Sequence, residues 1–248
     1  MSTEIQTDEL AAVLDRIAGE ILRQAGVIGP PVNVLQLAIR LGFQIAWDER
    51  QTARARLARP PRPGNGSAGG GLILLRHEPR PERRQWAVAH ELGEAWSWRV
   101  FEMLDQDPRT TRPALREQIA NWLAGRILVP GAWLTASGEE WDWDLLRLKQ
   151  RFSTASHELI ARRMLDCEPP VVITVFDQGS IVLRQGNLRQ RPPRWSEREE
   201  ACRQTAIVEA RPEEVTGNPR IRCWPLTEPG WLREIIRTEY SAKMVEWD

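Results

Sequence analysis

The chain has 248 residues with 34 basic and 34 acidic side chains, so its formal net charge is zero, and 42% of it is hydrophobic. That length and apolar content suffice for a buried core without staples and exclude a disordered tail. Zero net charge weighs against a generic nucleic-acid binder, and no apolar run approaches the ~20 residues of a membrane-spanning helix.

The N-terminal stretch Met1 to Glu9 lacks the basic and apolar regions of a secretory signal. Cys167, Cys202 and Cys223 are scattered and form no CxxC pair. Both features fit a cytoplasmic setting with reduced, structural thiols.

In chain order, Thr7 to Gln24 carries Leu10, Val13, Leu14, Ile17, Ile21 and Leu22 at three- and four-residue spacing, which predicts an amphipathic helix. Gly26, Gly29, Pro30 and Pro31 break it. Asn33 is placed to cap a second helix that ends at Gly42. Phe43 to Trp47 alternates as a half-buried strand does. Arg59 to Gly71, rich in Pro, Gly, Asn and Ser, reads as an exposed, mobile loop. Leu72 to Leu75 is a short apolar run expected to be a strand. Helical periodicity returns from Gln85 to Met103, from Ala114 to Leu128, and in a pair between Trp143 and Leu165.

Pro169-Pro170 marks the expected boundary between a domain of residues 1–168 and a module of residues 169–248. Within that module, Val171 to Phe176 and Ser180 to Arg184 flank Asp177-Gln178-Gly179, a hairpin signal. Trp231 to Met244 reads as a closing helix.

The chemistry concentrates in Trp86 to Trp96. Residues one helical turn apart share a face, so His90 and Glu94 can grip one cation. Glu91, one step round, can reach a water on that cation and act as general base, as in HExxH peptidases. A third ligand is available downstream. Glu117 sits among Ile119, Ala120, Leu123 and Ala124, where a carboxylate needs a partner, and it shares a face with Asn121. Three protein ligands and an open position make the catalytic zinc pattern.

Taken in order, these segments resemble the ImmA/IrrE family of metallo-endopeptidases. The family's A-H-E-x-G-H is similar to Ala89-His90-Glu91-Leu92-Gly93-Glu94. Its E-x-x-A-N-x-x-A helix and L-x-P end are similar to Glu117 through Ala124 and to Leu128-Val129-Pro130. A later F-x-V-S…R-L segment resembles Phe152 to Ser156 with Arg163-Met164-Leu165. The resemblance spans roughly residues 10 to 168. It implies a zincin-like fold and a divalent metal, and a protein substrate such as a phage-type or stress-response repressor. It also makes His157 a secondary candidate on the substrate side.

The chain departs from that pattern at Glu94, where the family has its second His. Carboxylates do bind zinc. Two anionic ligands nevertheless lower the cation's effective charge, make its water less acidic, and shift preference towards Mn or Mg. The alternative function is therefore a catalytically inactive pseudo-peptidase that serves as a protein-binding module or transcriptional regulator.

The bland reading of the motif has His90 as a hydrogen-bonded core residue and Glu94 paired with an Arg. The second HE pair, His157-Glu158, lacks a ligand one turn on and reads as a surface helix. Trp96, Trp98 and Trp122 fall on the site helices and are expected mainly in the core, with walling of a substrate groove as the alternative. A DNA reader would need a basic patch of Arg147, Arg151, Arg162 and Arg163, and the neutral chain argues against it. The expected fold is α+β: a mainly helical zincin-like domain with a small sheet, then a β-hairpin plus helix module.

Overall fold

The computed structural model of the chain describes residues 7–58, 70–167, 169–188, 190–228 and 230–241. The fold is α+β, and the chain forms two compact units. The first runs to Ser137 and includes Arg147–Ser156; the second comprises Gly138–Leu146 and everything from His157 on. Most of the loop expected from Arg59 to Gly71 lies outside the described residues, as does the end of the helix expected to reach Met244.

The first unit opens with α1 (Thr7–Gln24), whose Leu14, Ile17 and Ile21 are essentially inaccessible to solvent. Each such side chain contributes about 1.5–3 kcal/mol of burial. Asn33 caps α2 (Val34–Arg40) by accepting the Gln36 N–H at 3.2 Å. Gly42, at φ 87°, then turns the chain out of the helix in a conformation that costs glycine little. Three strands follow: β1 (Gln44–Trp47), β2 (Ala55–Ala58) and β3 (Leu72–Leu75). β3 is central, parallel to β1 and antiparallel to β2. β2 carries no strand signal of its own, since Ala-Arg-Leu-Ala has low β propensity.

Two long helices complete the core of this unit, α3 (Pro81–Met103) and α4 (Pro113–Leu128). Each begins with a proline, whose missing N–H costs nothing in the first helical turn. Val88, Ala89 and Leu92 of α3 and Ile119, Ala120, Leu123 and Ala124 of α4 are all fully buried. α5 (Gly131–Glu140) and α6 (Leu145–Arg151) carry the chain between the units. Trp96 packs against Phe43 with ring centroids 5.6 Å apart. Trp98 and Trp122 were expected in the core but are 53% and 37% exposed. The apolar face of each helix is already filled by smaller side chains, which leaves these indoles outside.

The second unit contains α7 (His157–Arg163), a short 3-10 turn at Met164–Asp166, and a five-stranded antiparallel sheet. Its strands are β4 (Val171–Asp177), β5 (Ser180–Gly186), β6 (Glu213–Val215), β7 (Arg220–Glu228) and β8 (Trp231–Glu239), in spatial order β5-β4-β8-β7-β6. The expected hairpin is present as β4 and β5, turning on Gln178 and Gly179 at φ 49° and 78°. Two positive φ values in a two-residue loop match the twist of the flanking strands.

The closing helix expected from Trp231 is instead strand β8, paired with β4 and β7. Trp231, Leu232, Ile235 and Ile236 fit a helical stripe equally well. In a strand covered on both faces, however, adjacent apolar residues serve opposite faces. The module's helix is α8 (Glu197–Glu209), announced by the capping box of Ser196 and Glu199. It covers one sheet face, where Cys202 and Ala206 meet Phe176, Ile221, Cys223 and Ile236. Glu199, 1% exposed, accepts from Thr238 at 2.7 Å and from Arg184 at 3.1 Å, joining α8 to the sheet.

Of the four arginines considered for DNA contact, Arg162 pairs with Glu158 at 2.8 Å and buried Arg163 with Asp166. Among the described residues no helix is long and apolar enough to cross a membrane.

Candidate metal centre

The crossing of α3 and α4 sets the site. At Gly93 the helices approach so closely that a Cβ there would lie 2.3 Å from the Ala120 carbonyl oxygen. This contact explains the glycine inside the His90–Glu94 motif, whose role the sequence alone left open. It also brings the face of α3 bearing His90 and Glu94 against the face of α4 bearing Glu117 and Asn121.

His90 Nε2 lies 3.8 Å from Glu94 Oε1 and 3.6 Å from Glu117 Oε1. One potential ligand atom from each of the three residues falls within 4.8 Å of the others. The imidazole is recessed, with its side chain 19% exposed, while Glu94 and Glu117 are 49% and 57% exposed. The three therefore form a cup with its base in the protein and its rim in solvent.

Asn121 orders this cup. Its Nδ2 donates to Glu117 Oε1 at 3.3 Å, and its Oδ1 lies 3.0 Å from His90 Nδ1. An amide oxygen can only accept, so Nδ1 is the donor of that contact and Nε2 is the nitrogen that faces the two carboxylates. One side chain thus orients the ring of one candidate ligand and the carboxylate of another. The one-turn spacing of Glu117 and Asn121 was visible in the sequence, but this double contact was not.

Glu91, next to His90 on α3, is 6% exposed. Its Oε2 accepts the Leu57 N–H at 2.6 Å, so edge strand β2 holds the carboxylate in place. Burial pushes its carboxyl above the usual range; the Leu57 N–H pulls it back, and Glu94 pushes it further up. A cleft of about 500 Å³ opens beside the group, lined by Leu57, Glu94, Ser97, Pro113, Arg116 and Glu117. Sequence reading missed Leu57 and Arg116 because neither carries a motif; only the fold puts them here.

Among the described residues Glu94 has no Arg or Lys partner, whereas His90 is hydrogen-bonded as the bland reading of the motif had it. His157 opens α7 in the second unit and is not one of the three grouped residues. His77 is exposed, and its backbone N–H donates to Glu49 at 3.1 Å.

One imidazole nitrogen and two accessible carboxylates gathered in this way form a group that could hold a divalent cation. No curated protein matches the chain. Among solved structures, a Mycobacterium tuberculosis transcriptional regulator shares the fold with a TM-score of 0.64 at 18% identity, over 91% of this chain and 75% of that one. Residues 49–165 match the family model of the IrrE N-terminal-like domain, Peptidase M78. Over that segment, a little under half of the chain, the sequence is similar to the IrrE N-terminal-like domain of the M78 peptidases.

Proposed function

We propose that the chain is a metal-dependent endopeptidase acting on a protein partner, with His90, Glu94 and Glu117 holding the cation and Glu91 serving as general base. The observation that carries this reading is the convergence of three ligand atoms within 4.8 Å, oriented by Asn121. A divalent cation bound there would supply Lewis-acid polarisation of a scissile carbonyl and a more acidic water.

The remaining work falls to the chain. Glu91, held by the Leu57 N–H, takes a proton from the attacking water and can return it to the leaving amine. Its raised titration point suits both halves of that exchange. The cleft bordered by Leu57 and Arg116 admits an extended segment of substrate. The similarity of residues 49–165 to the M78 family model supports a peptidase-like role, and the fold shared with a transcriptional regulator supports a repressor as the partner. Two carboxylates beside one imidazole make Mn or Mg plausible occupants beside Zn.

Glu94 is the specific observation favouring a second reading, in which the domain binds its partner without cutting it. Elemental analysis of the purified wild type, His90→Ala and Glu94→His proteins separates the two. The peptidase reading expects stoichiometric divalent metal in the wild type and none in His90→Ala. Metal acquired only by Glu94→His would mark a pseudo-peptidase, and metal in none of the three would remove the site altogether. If the peptidase reading holds, Asn121→Ala should weaken metal affinity by about 10–100-fold in a chelator competition. Unchanged affinity would deny Asn121 its orienting role.

A further inference from the structure

On the sheet face opposite α8, β7 and β8 place Arg222 directly across from Arg237. Both are buried, at 7% and 1% exposure. Like charges facing each other across a strand pair are destabilising, and a guanidinium removed from water needs its N–H groups satisfied. Here they are not. Arg222 Nη1 donates to the Asp142 carbonyl, but among the described residues Arg222 Nε and Nη2 and Arg237 Nε have no acceptor. Arg237 also pairs with Glu239. Trp224 and Trp143 lie against the two guanidinium groups, at 5.6 and 5.5 Å.

The anion shared within this cluster is Asp142. Its carboxylate takes two hydrogen bonds from Arg220, at 2.8 and 2.6 Å, and lies 3.6 Å from Arg222 Nη1. Arg220 has a second carboxylate partner in Glu214, at 2.7 Å. Asp142 is 62% exposed, unlike the arginines beneath it, and Asp142 and Trp143 both hold positive φ, at 49° and 56°. A solvent-facing carboxylate on a strained turn thus partly covers buried guanidinium groups that retain unused donors. The Arg220 hydrogen bonds hold the Asp142 carboxyl below its usual range. Burial, then Arg237 and Arg220, push Arg222 down to about 10.

We infer that Arg220, Arg222 and Arg237 form a binding site for a small oxyanion, a carboxylate or a phosphate, and that Asp142 is the chain's own stand-in for it. The planar fork of a guanidinium matches either oxyanion with two parallel hydrogen bonds. A ligand enters by displacing the exposed Asp142 carboxylate and meets the unsatisfied donors below. This site lies wholly within the second unit and does not depend on the peptidase reading.

Melting curves and calorimetric titrations of the full chain test it, with inorganic phosphate and with succinate against sodium chloride at matched ionic strength. The melting point of the wild type should rise with one oxyanion beyond the chloride control, and the responding anion assigns phosphate or carboxylate chemistry. Asp142→Asn should tighten that anion by about tenfold, because the competing carboxylate is gone. Arg222→Gln should abolish the response while melting no lower than the wild type without anion, since a buried unpaired charge is removed. Arg237→Gln provides a second loss-of-response variant. No response above chloride in either the wild type or Asp142→Asn would overturn the proposal. So would a response that survives in both arginine variants.

Discussion

Gly93→Ala is expected to destabilise the chain by about 3 kcal/mol or more and to abolish divalent-metal binding, although it adds a single methyl group. The added Cβ would meet the Ala120 carbonyl oxygen at 2.3 Å and its carbonyl carbon at 3.1 Å. Both are main-chain atoms in the middle of α4, so no side-chain rotation relieves the overlap. The helices must separate by roughly an ångström, in a core whose density leaves little slack. Val88, Ala89 and Leu92 on one side and Ile119, Leu123 and Ala124 on the other are fully buried and lose contact together. The same separation pulls Glu117 away from His90 Nε2, now 3.6 Å apart. Urea denaturation measures the first effect and metal titration the second. A compensating Ala120→Gly should not rescue either, because the atom struck is the carbonyl oxygen. A Gly93→Ala protein within 0.5 kcal/mol of the wild type would mean that the helix crossing is looser than described.

This dependence on a backbone contact shows where sequence reading ends. The grouping of His90, Glu94 and Glu117 was legible because a helix has a fixed period, although Glu117, expected among core residues, is 57% exposed and burial gave it no need of a partner. α1 and the β4–β5 hairpin were legible for the same reason, since a stripe or a two-residue turn is encoded within a few neighbouring positions. Leu57 was not, because its part in the site is an N–H that every non-proline residue carries. β2 became a strand only because β3 lies beside it. β8 misled in the opposite direction: Ile235 and Ile236 satisfy a helical stripe and a doubly covered strand equally, and only pairing with β4 and β7 decides between them. The Ser196–Glu199 capping box was present in the sequence as a helix start. The arginine row of β7 and β8 had no such signal, since cross-strand register is not written in either strand alone.

Glu91→Gln is expected to lower any hydrolytic activity by about 10²–10⁴-fold while raising the thermal stability of the metal-free protein. The two effects share one cause. Glu91 is buried, and burial is the main reason its carboxyl titrates above the ordinary range. The fold therefore disfavours the ionised form, and the nearby Glu94 and Glu117 add to that cost. Glutamine keeps the volume and an oxygen to accept the Leu57 N–H, but carries no charge and cannot take a proton from water. At acid pH, below the ordinary carboxylate range, Glu91 is protonated in both folded and unfolded chains and the variant gains little. As pH rises through the raised folded-state value, the wild type must either ionise in place or hold its proton at a cost. The advantage of glutamine should therefore grow as pH rises from the ordinary carboxylate range through the raised folded-state value, and level off above it. At the upper end, a melting point higher by about 2–4 °C is expected for a chain of this size. Melting curves in EDTA across that range, beside hydrolysis of a denatured protein substrate after metal reconstitution, separate the roles. If the variant melts lower than the wild type at every pH, the Glu91–Leu57 contact is a structural tie rather than a restrained base. If it retains full hydrolytic activity, the proton passes through another group and Glu91 is not the base.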